Sequence, residues 1–165
     1  ESPDTIDWRL DLFTAALLGN RSADDALRGS HVHEGEVFEG DYGLATALHI
    51  KYPHVWQQDG NAAMRPAVIR QSKMPATETL DKIAQALGIV QEGHSAQDTQ
   101  IKIADEVARI YRQHDIPSSL RDLRIPKEDF TTIAKDSMKI FNSNAGLRLE
   151  EEHMKNAIAM LEAAW

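Results

Sequence analysis

The chain has 165 residues, 42% hydrophobic and 27% charged, with 18 basic against 26 acidic side chains and a net charge of -8. That length is within the ~100–200 residues of one domain, and no apolar run approaches the ~18 residues that span a bilayer, so one soluble domain over residues 1–165 with no membrane partner is expected. The acidic balance, with no local Lys/Arg cluster to offset it, argues against a nucleic-acid partner, while the lack of cysteine excludes disulfides, thiolate nucleophiles and Cys-ligated zinc and fits a cytoplasmic location.

Periodicity along the chain is helical rather than alternating. Ser2-Pro3 opens a first helix with apolar positions Ile6, Leu10, Phe13, Leu17 and Leu18, ending at Gly19-Asn20. Residues 20–42, rich in glycine, asparagine and charge, read as a long loop. A short apolar helix over Gly43 to Tyr52 stops at Pro53, and the next covers roughly Gly60 to Gln71, where Pro66 predicts a kink or a late start. "TETLDKIAQALG" carries a threonine cap at Thr77 or Thr79, the stripe Leu80, Ile83, Ala84 and Leu87, and Gly88 as its stop. Ser95 and Asp98 begin the longest helix, whose predicted buried stripe is Ile101, Ala104, Val107, Ala108 and Tyr111; "HDIPSS" ends it. Pro126 with Glu128 and Asp129 starts a helix through Phe141, and a last helix begins near Leu149. The expected fold is an all-α bundle of about seven helices.

The chemistry-bearing residues are mostly histidines. His31 and His33, with Glu34 and Glu36 beside them, combine imidazole and carboxylate in a way that suits a divalent metal; the plain alternative is a solvated polar loop. His49 and His54 flank a proline turn, where a neutral imidazole serves as general acid or base, although such a residue more often caps a helix or packs at a surface. "QQDGN" precedes a helix, yet one glycine and no lysine make a poor phosphate loop. His94, His114 and His153 are isolated in polar surroundings and expected to be exposed. No Ser-His-Asp spacing, glycine-rich nucleotide fingerprint or His-Glu-x-x-His pattern is present.

"YPHVWQQDGNAAMRPAVIR" resembles a stretch of the C-terminal helical domain of iron-containing alcohol dehydrogenases: a tyrosine, then His-Gly-x-Ala-Asn-Ala, then apolar residues and Pro-x-Val leading into a helix. "LDKIAQALG", "HDIPSSLRDLRIPKEDF" and "AIAMLEAAW" resemble later segments of that domain in the same order, and the first helix with "AALLG" resembles the one that precedes it. The resemblance implies an all-α bundle like that domain. It further implies an NAD- or NADP-dependent oxidoreductase acting on a small alcohol or aldehyde, whose nucleotide-binding domain lies on residues this chain does not contain.

The departures concern the metal. The family holds a divalent ion with one Asp and three His; two of the His positions align with Gly43 and Gln57, and the other two ligands would precede residue 1. Another histidine of the pattern aligns with Ala47. Gln57 can orient a substrate hydroxyl but supplies no positive charge, which leaves a histidine or tyrosine to act as the acid. The candidate catalytic residues are therefore Gln57, His49 and His54, and the only candidate metal ligands are His31 and His33 on the inserted loop. No tightly bound transition metal is expected in the isolated chain, and no dehydrogenase activity. The competing function is a non-catalytic helical domain for assembly or small-molecule binding. On the dehydrogenase reading the face over Gly43 to Asn61 is the seam that a cofactor domain would cover, so Leu44, Leu48, Val55 and Trp56 are expected to be partly exposed and to support homo-oligomers.

Overall fold

The computed structural model describes residues 6–28, 42–72, 75–89, 93, 95–139 and 151–165. Among them are seven α-helices, one 3-10 turn and no strand, as the all-α expectation requires. The chain divides into two units, Glu1–Val37 and Phe38–Trp165.

In the first unit one helix, α1, runs over Ile6–Arg28. It does not stop at Gly19-Asn20. The predicted loop over residues 20–42 is thus helical in its first part. No described helix is long and apolar enough to cross a membrane.

The second unit is built on α3 (Gln57–Gln71). On one side α2 (Tyr42–Lys51), α6 (Phe130–Ser137) and α7 (Glu151–Ala163) close an apolar cluster containing Leu48, Val55, Met64, Val68, Leu120, Ile133 and Leu161. On the other, α4 (Thr77–Ala86) and α5 (Ala96–Gln113) gather Leu80, Ala84, Ile103 and Ala104 around Ile69. Successive α3 residues thus feed two clusters, Val68 one and Ile69 the other, as a helix with apolar residues around most of its circumference must.

Several local signals act as read. Gly88 takes φ +72°, Ile89 N–H reaches back to the Ala84 carbonyl at 2.8 Å and Gly88 N–H to that of Gln85 at 3.1 Å, the paired bonds of a Schellman stop. Ser95 Oγ accepts from Asp98 N–H at 3.1 Å, and Asp98 Oδ2 accepts from Ser95 N–H at 3.2 Å, a reciprocal capping box.

Others differ. α3 starts three residues before Gly60, because the Asp59 carboxylate accepts from Trp56 N–H at 3.2 Å and caps the helix at Trp56, and it continues through buried Pro66. Neither threonine caps α4: Ala76 holds the N-cap position and Thr77 is already helical. α5 buries Thr99, Gln100 and Ile103 and leaves Ile101 exposed. Gln100 owes its buried place to the end of α3, where its amide donates to the carbonyls of Ile69 and Ser72 at 2.5 and 3.1 Å and satisfies groups the helix leaves open. The predicted seam is mostly core. Leu44, Leu48 and Val55 are buried and only Trp56, at 63% exposure, faces outward, because Leu44 and Leu48 point from α2 into the cluster with α3 and α6.

Candidate functional site

The α2–α3 corner brings the opening motif together. Gly60 makes this possible: a Cβ there would lie 3.2 Å from Ala45 Cα and 3.3 Å from Ala45 Cβ, so the two helices cross closer than a larger residue allows. That approach sets the start of α3 against the outer face of α2, where Tyr42, Gly43, Thr46, His49 and Ile50 recur at three- and four-residue spacing.

Gln57 donates through Nε2 to Thr46 Oγ1 at 3.0 Å, and the Thr46 hydroxyl donates in turn to the Tyr42 carbonyl at 2.9 Å. Since the hydroxyl proton is spent on Tyr42, the Thr46 oxygen can only accept from Gln57. The Gln57 amide is therefore oriented with its NH2 toward Thr46 and its carbonyl Oε1 as the remaining acceptor.

His49 is fixed by two contacts. Its Nδ1 lies 2.8 Å from the Val55 carbonyl, and its ring stacks on Trp56 with centroids 6.3 Å apart at 23°. A carbonyl only accepts, so Nδ1 carries the proton and Nε2 the lone pair in the neutral ring. His49 is exposed on the same corner as Gln57.

His54 is engaged elsewhere. Its Nε2 is 3.2 Å from the Leu123 carbonyl, and its ring meets Tyr52 edge-on at 5.9 Å, so it ties the turn after α2 to the segment before α6. His31 and His33 lie outside the described residues, as does His94. His114 is exposed at the end of α5, whereas His153 is partly buried in α7.

Next to the corner is a constellation that single-sequence reasoning missed. The Tyr52 hydroxyl donates to Asp129 Oδ2, and Lys51 Nζ lies 3.5 Å from Asp129 Oδ1. Burial pushes the Tyr52 phenol well above its ordinary value, and the hydrogen bond to Asp129 and that carboxylate's charge raise it further. A phenol so shifted keeps its proton and is a poor acid; it serves as a hydrogen-bond donor holding the end of α2 to the start of α6. The acidic start "PKEDF" was legible as a helix signal, but 77 residues separate the partners and nothing local marks the pair.

Comparison with known proteins bears on the same segment. A model of the Fe-containing alcohol dehydrogenase family, C-terminal, matches residues 41–165. The chain belongs to this family. No individual curated protein sequence matches it. The match includes the whole α2–α3 corner and stops short of α1, so the likeness of "AALLG" to the family is outside it.

Gly43 and Thr46 are one turn apart on α2 and Gln57 bonds to Thr46, which puts the three on one corner. Gly43 brings no side-chain donor and Gln57 only a neutral carbonyl, a poor set for Zn or Fe. Among the described residues no three His, Cys, Asp or Glu side chains converge where they could hold a metal ion.

Proposed function

We propose that this domain is the C-terminal part of an NAD- or NADP-dependent oxidoreductase that interconverts a small alcohol and its aldehyde or ketone. The observation that carries the reading is the family match over residues 41–165, a family whose members are generally NAD-dependent. The α2–α3 corner supports it by presenting a hydrogen-bonding amide and an oriented imidazole side by side.

A nucleotide-binding domain supplied by the rest of the protein is the partner of this reading. Tyr42, Ile50 and Trp56 are the large apolar side chains it would cover, Ile50 being 71% exposed. Alone, the 165 residues are expected to show no dehydrogenase activity, and nicotinamide nucleotides are expected to leave their tryptophan fluorescence unquenched. Saturable nucleotide binding to the isolated chain would overturn that division of labour. Self-association of the isolated chain through the same face should be weakened by Trp56→Glu, read by size-exclusion chromatography.

The deciding experiment joins the chain to its nucleotide-binding part and follows nicotinamide reduction over a panel of small alcohols. Turnover supports the reading. Its absence across the panel favours a non-catalytic helical domain for assembly or small-molecule binding, toward which the donorless Gly43 already points. The cytoplasmic location proposed for either form is tested by fractionating cells that express the whole protein.

A further inference from the structure

We propose that this corner works without a metal ion: the Gln57–Thr46 bridge closes the positions a metal's ligands would use, and His49 Nε2 takes the substrate's hydroxyl proton. The proposal rests on the oxidoreductase reading above.

The first half follows from hydrogen-bond direction. A ligand must aim a lone pair at the ion, and a side chain at position 57 would have to do so beside Gly43. Here the 57 side chain turns its NH2 onto Thr46 Oγ1 at 3.0 Å, and Thr46 is locked in place by its bond to the Tyr42 carbonyl at 2.9 Å. Both sides of that bridge are committed within the protein. Among the described side chains of this corner, Gln57 offers a neutral amide, which holds a divalent cation weakly.

The second half follows from what removing the metal demands. A bound cation acidifies an alcohol by stabilising its alkoxide; without one, a base must accept the proton as hydride leaves. Imidazole is the side chain whose ordinary titration lies nearest neutrality. His49 is the imidazole at this corner with an oriented, outward lone pair: the Val55 carbonyl holds the proton on Nδ1 at 2.8 Å, and the Trp56 ring holds the plane. His54 is unsuited, because its Nε2 is spent on the Leu123 carbonyl.

The step balances as follows. The carbinol C–H bond breaks and its hydride passes to an oxidised nicotinamide. The O–H bond breaks, its electron pair becoming the second bond of the carbonyl and its proton passing to His49 Nε2. Products are the carbonyl compound, the reduced nicotinamide and an imidazolium that keeps its Nδ1–H on Val55. Before the transfer the hydroxyl's one proton is directed at His49 Nε2, and the Gln57 N–H that Thr46 does not use donates to the hydroxyl oxygen and positions it.

Three measurements test this. Elemental analysis of the chain purified without chelator should find no stoichiometric Zn or Fe, and added Zn²⁺ should leave its melting temperature unchanged; the Gly43→His/Gln57→His double variant should gain a Zn²⁺-dependent rise. Nitrogen NMR of His49 should show the Nδ1–H tautomer in the neutral ring. In the whole protein, His49→Gln should lower kcat by about 10²- to 10⁴-fold with its circular dichroism retained, and chelators should leave the wild-type rate unchanged.

Stoichiometric metal in the wild-type chain that is lost in Gln57→Leu would overturn the proposal, as would an Nε2–H tautomer or an undiminished rate in His49→Gln. Turnover that requires added Zn²⁺ or Fe²⁺ defeats the metal-free site while leaving the oxidoreductase reading intact. Absence of turnover with and without metal defeats that reading, and the proton step with it.

Discussion

Gly60→Ala adds one methyl group at the closest approach of α2 and α3, and two opposed effects decide its sign. In a free helix the change is favourable by about 1 kcal/mol, because alanine gives up less backbone freedom. In this helix the new Cβ would sit 3.2 Å from Ala45 Cα and 3.3 Å from Ala45 Cβ, inside the ~3.5–4.0 Å at which carbon atoms rest. One of the two is a backbone atom and the other a Cβ of the same fully buried residue, so no side-chain rotation relieves the contact and the helices must separate. Overpacking of this kind costs about 1–3 kcal/mol, which leaves a net loss of about 1 kcal/mol and a fall of about 2–4 °C in Tm for a domain of this size. Gly60→Val should lose substantially more. Gly88→Ala is the contrast: nothing lies within 4 Å of its Cβ, and its cost comes only from φ +72°. Thermal denaturation of the three variants, followed by circular dichroism, makes the comparison. A Gly60→Ala protein that melts higher than wild type would show that α2 and α3 give way freely, and the close crossing would then not position Gln57 over Thr46.

Tyr52→Phe removes the phenol from Asp129, with an expected loss of about 1 kcal/mol in chemical denaturation because Lys51 still attends the carboxylate. Its pH dependence has a definite sign: a phenol held above its ordinary value of about 10 contributes fully below that pH and loses its contribution as pH rises toward the folded value, so wild type should shed stability in alkali more steeply than the variant. Ser95→Ala breaks the capping box of α5 and should cost about 1 kcal/mol, read as a shift in urea midpoint with an unchanged slope. Trp165→Ala removes an indole whose N–H donates to the Ile125 carbonyl at 3.0 Å and whose ring carries Arg121 at 3.7 Å and Lys127 at 4.2 Å; a loss of about 2–3 kcal/mol is expected, with Trp165→Phe recovering the ring's share.

What could be read before folding was whatever is settled within one helical turn. The stop at Gly88 and the start at Ser95 need only residues a few places away, and both act as read. Reading failed where a distant partner decides. Gln100 looks like a surface residue until the end of α3 arrives beside it, and that polar side chain on the buried face shifted the predicted stripe of α5 from Ile103 to Ile101. The start of α3 was missed because Trp56 has no oxygen with which to cap, so the work falls to Asp59 reaching back. Gln57 and His49 were picked out as residue types at an active-site wall, yet their hydrogen-bond directions depend on Thr46 and Val55, which only the turn between α2 and α3 brings within reach.

The segment before α6 leans on the last residues of the chain. Leu120 N–H donates to the Ala164 carbonyl at 2.8 Å, and the Ile125 carbonyl accepts from the Trp165 indole. During synthesis these partners are made some forty residues after the groups they satisfy, by which time α6 and much of α7 have already been translated. A nascent chain halted anywhere before Ala164 therefore lacks the partners of the Leu120 N–H and the Ile125 carbonyl, although the Ile125 N–H and the Leu120 carbonyl can still bond each other. This half of the bundle therefore closes only once residues 164 and 165 have been made and have reached it. Whatever displaces Trp165 also releases the Arg121 guanidinium and the Lys127 ammonium that lie over its ring, so late arrival of this one side chain delays three contacts together.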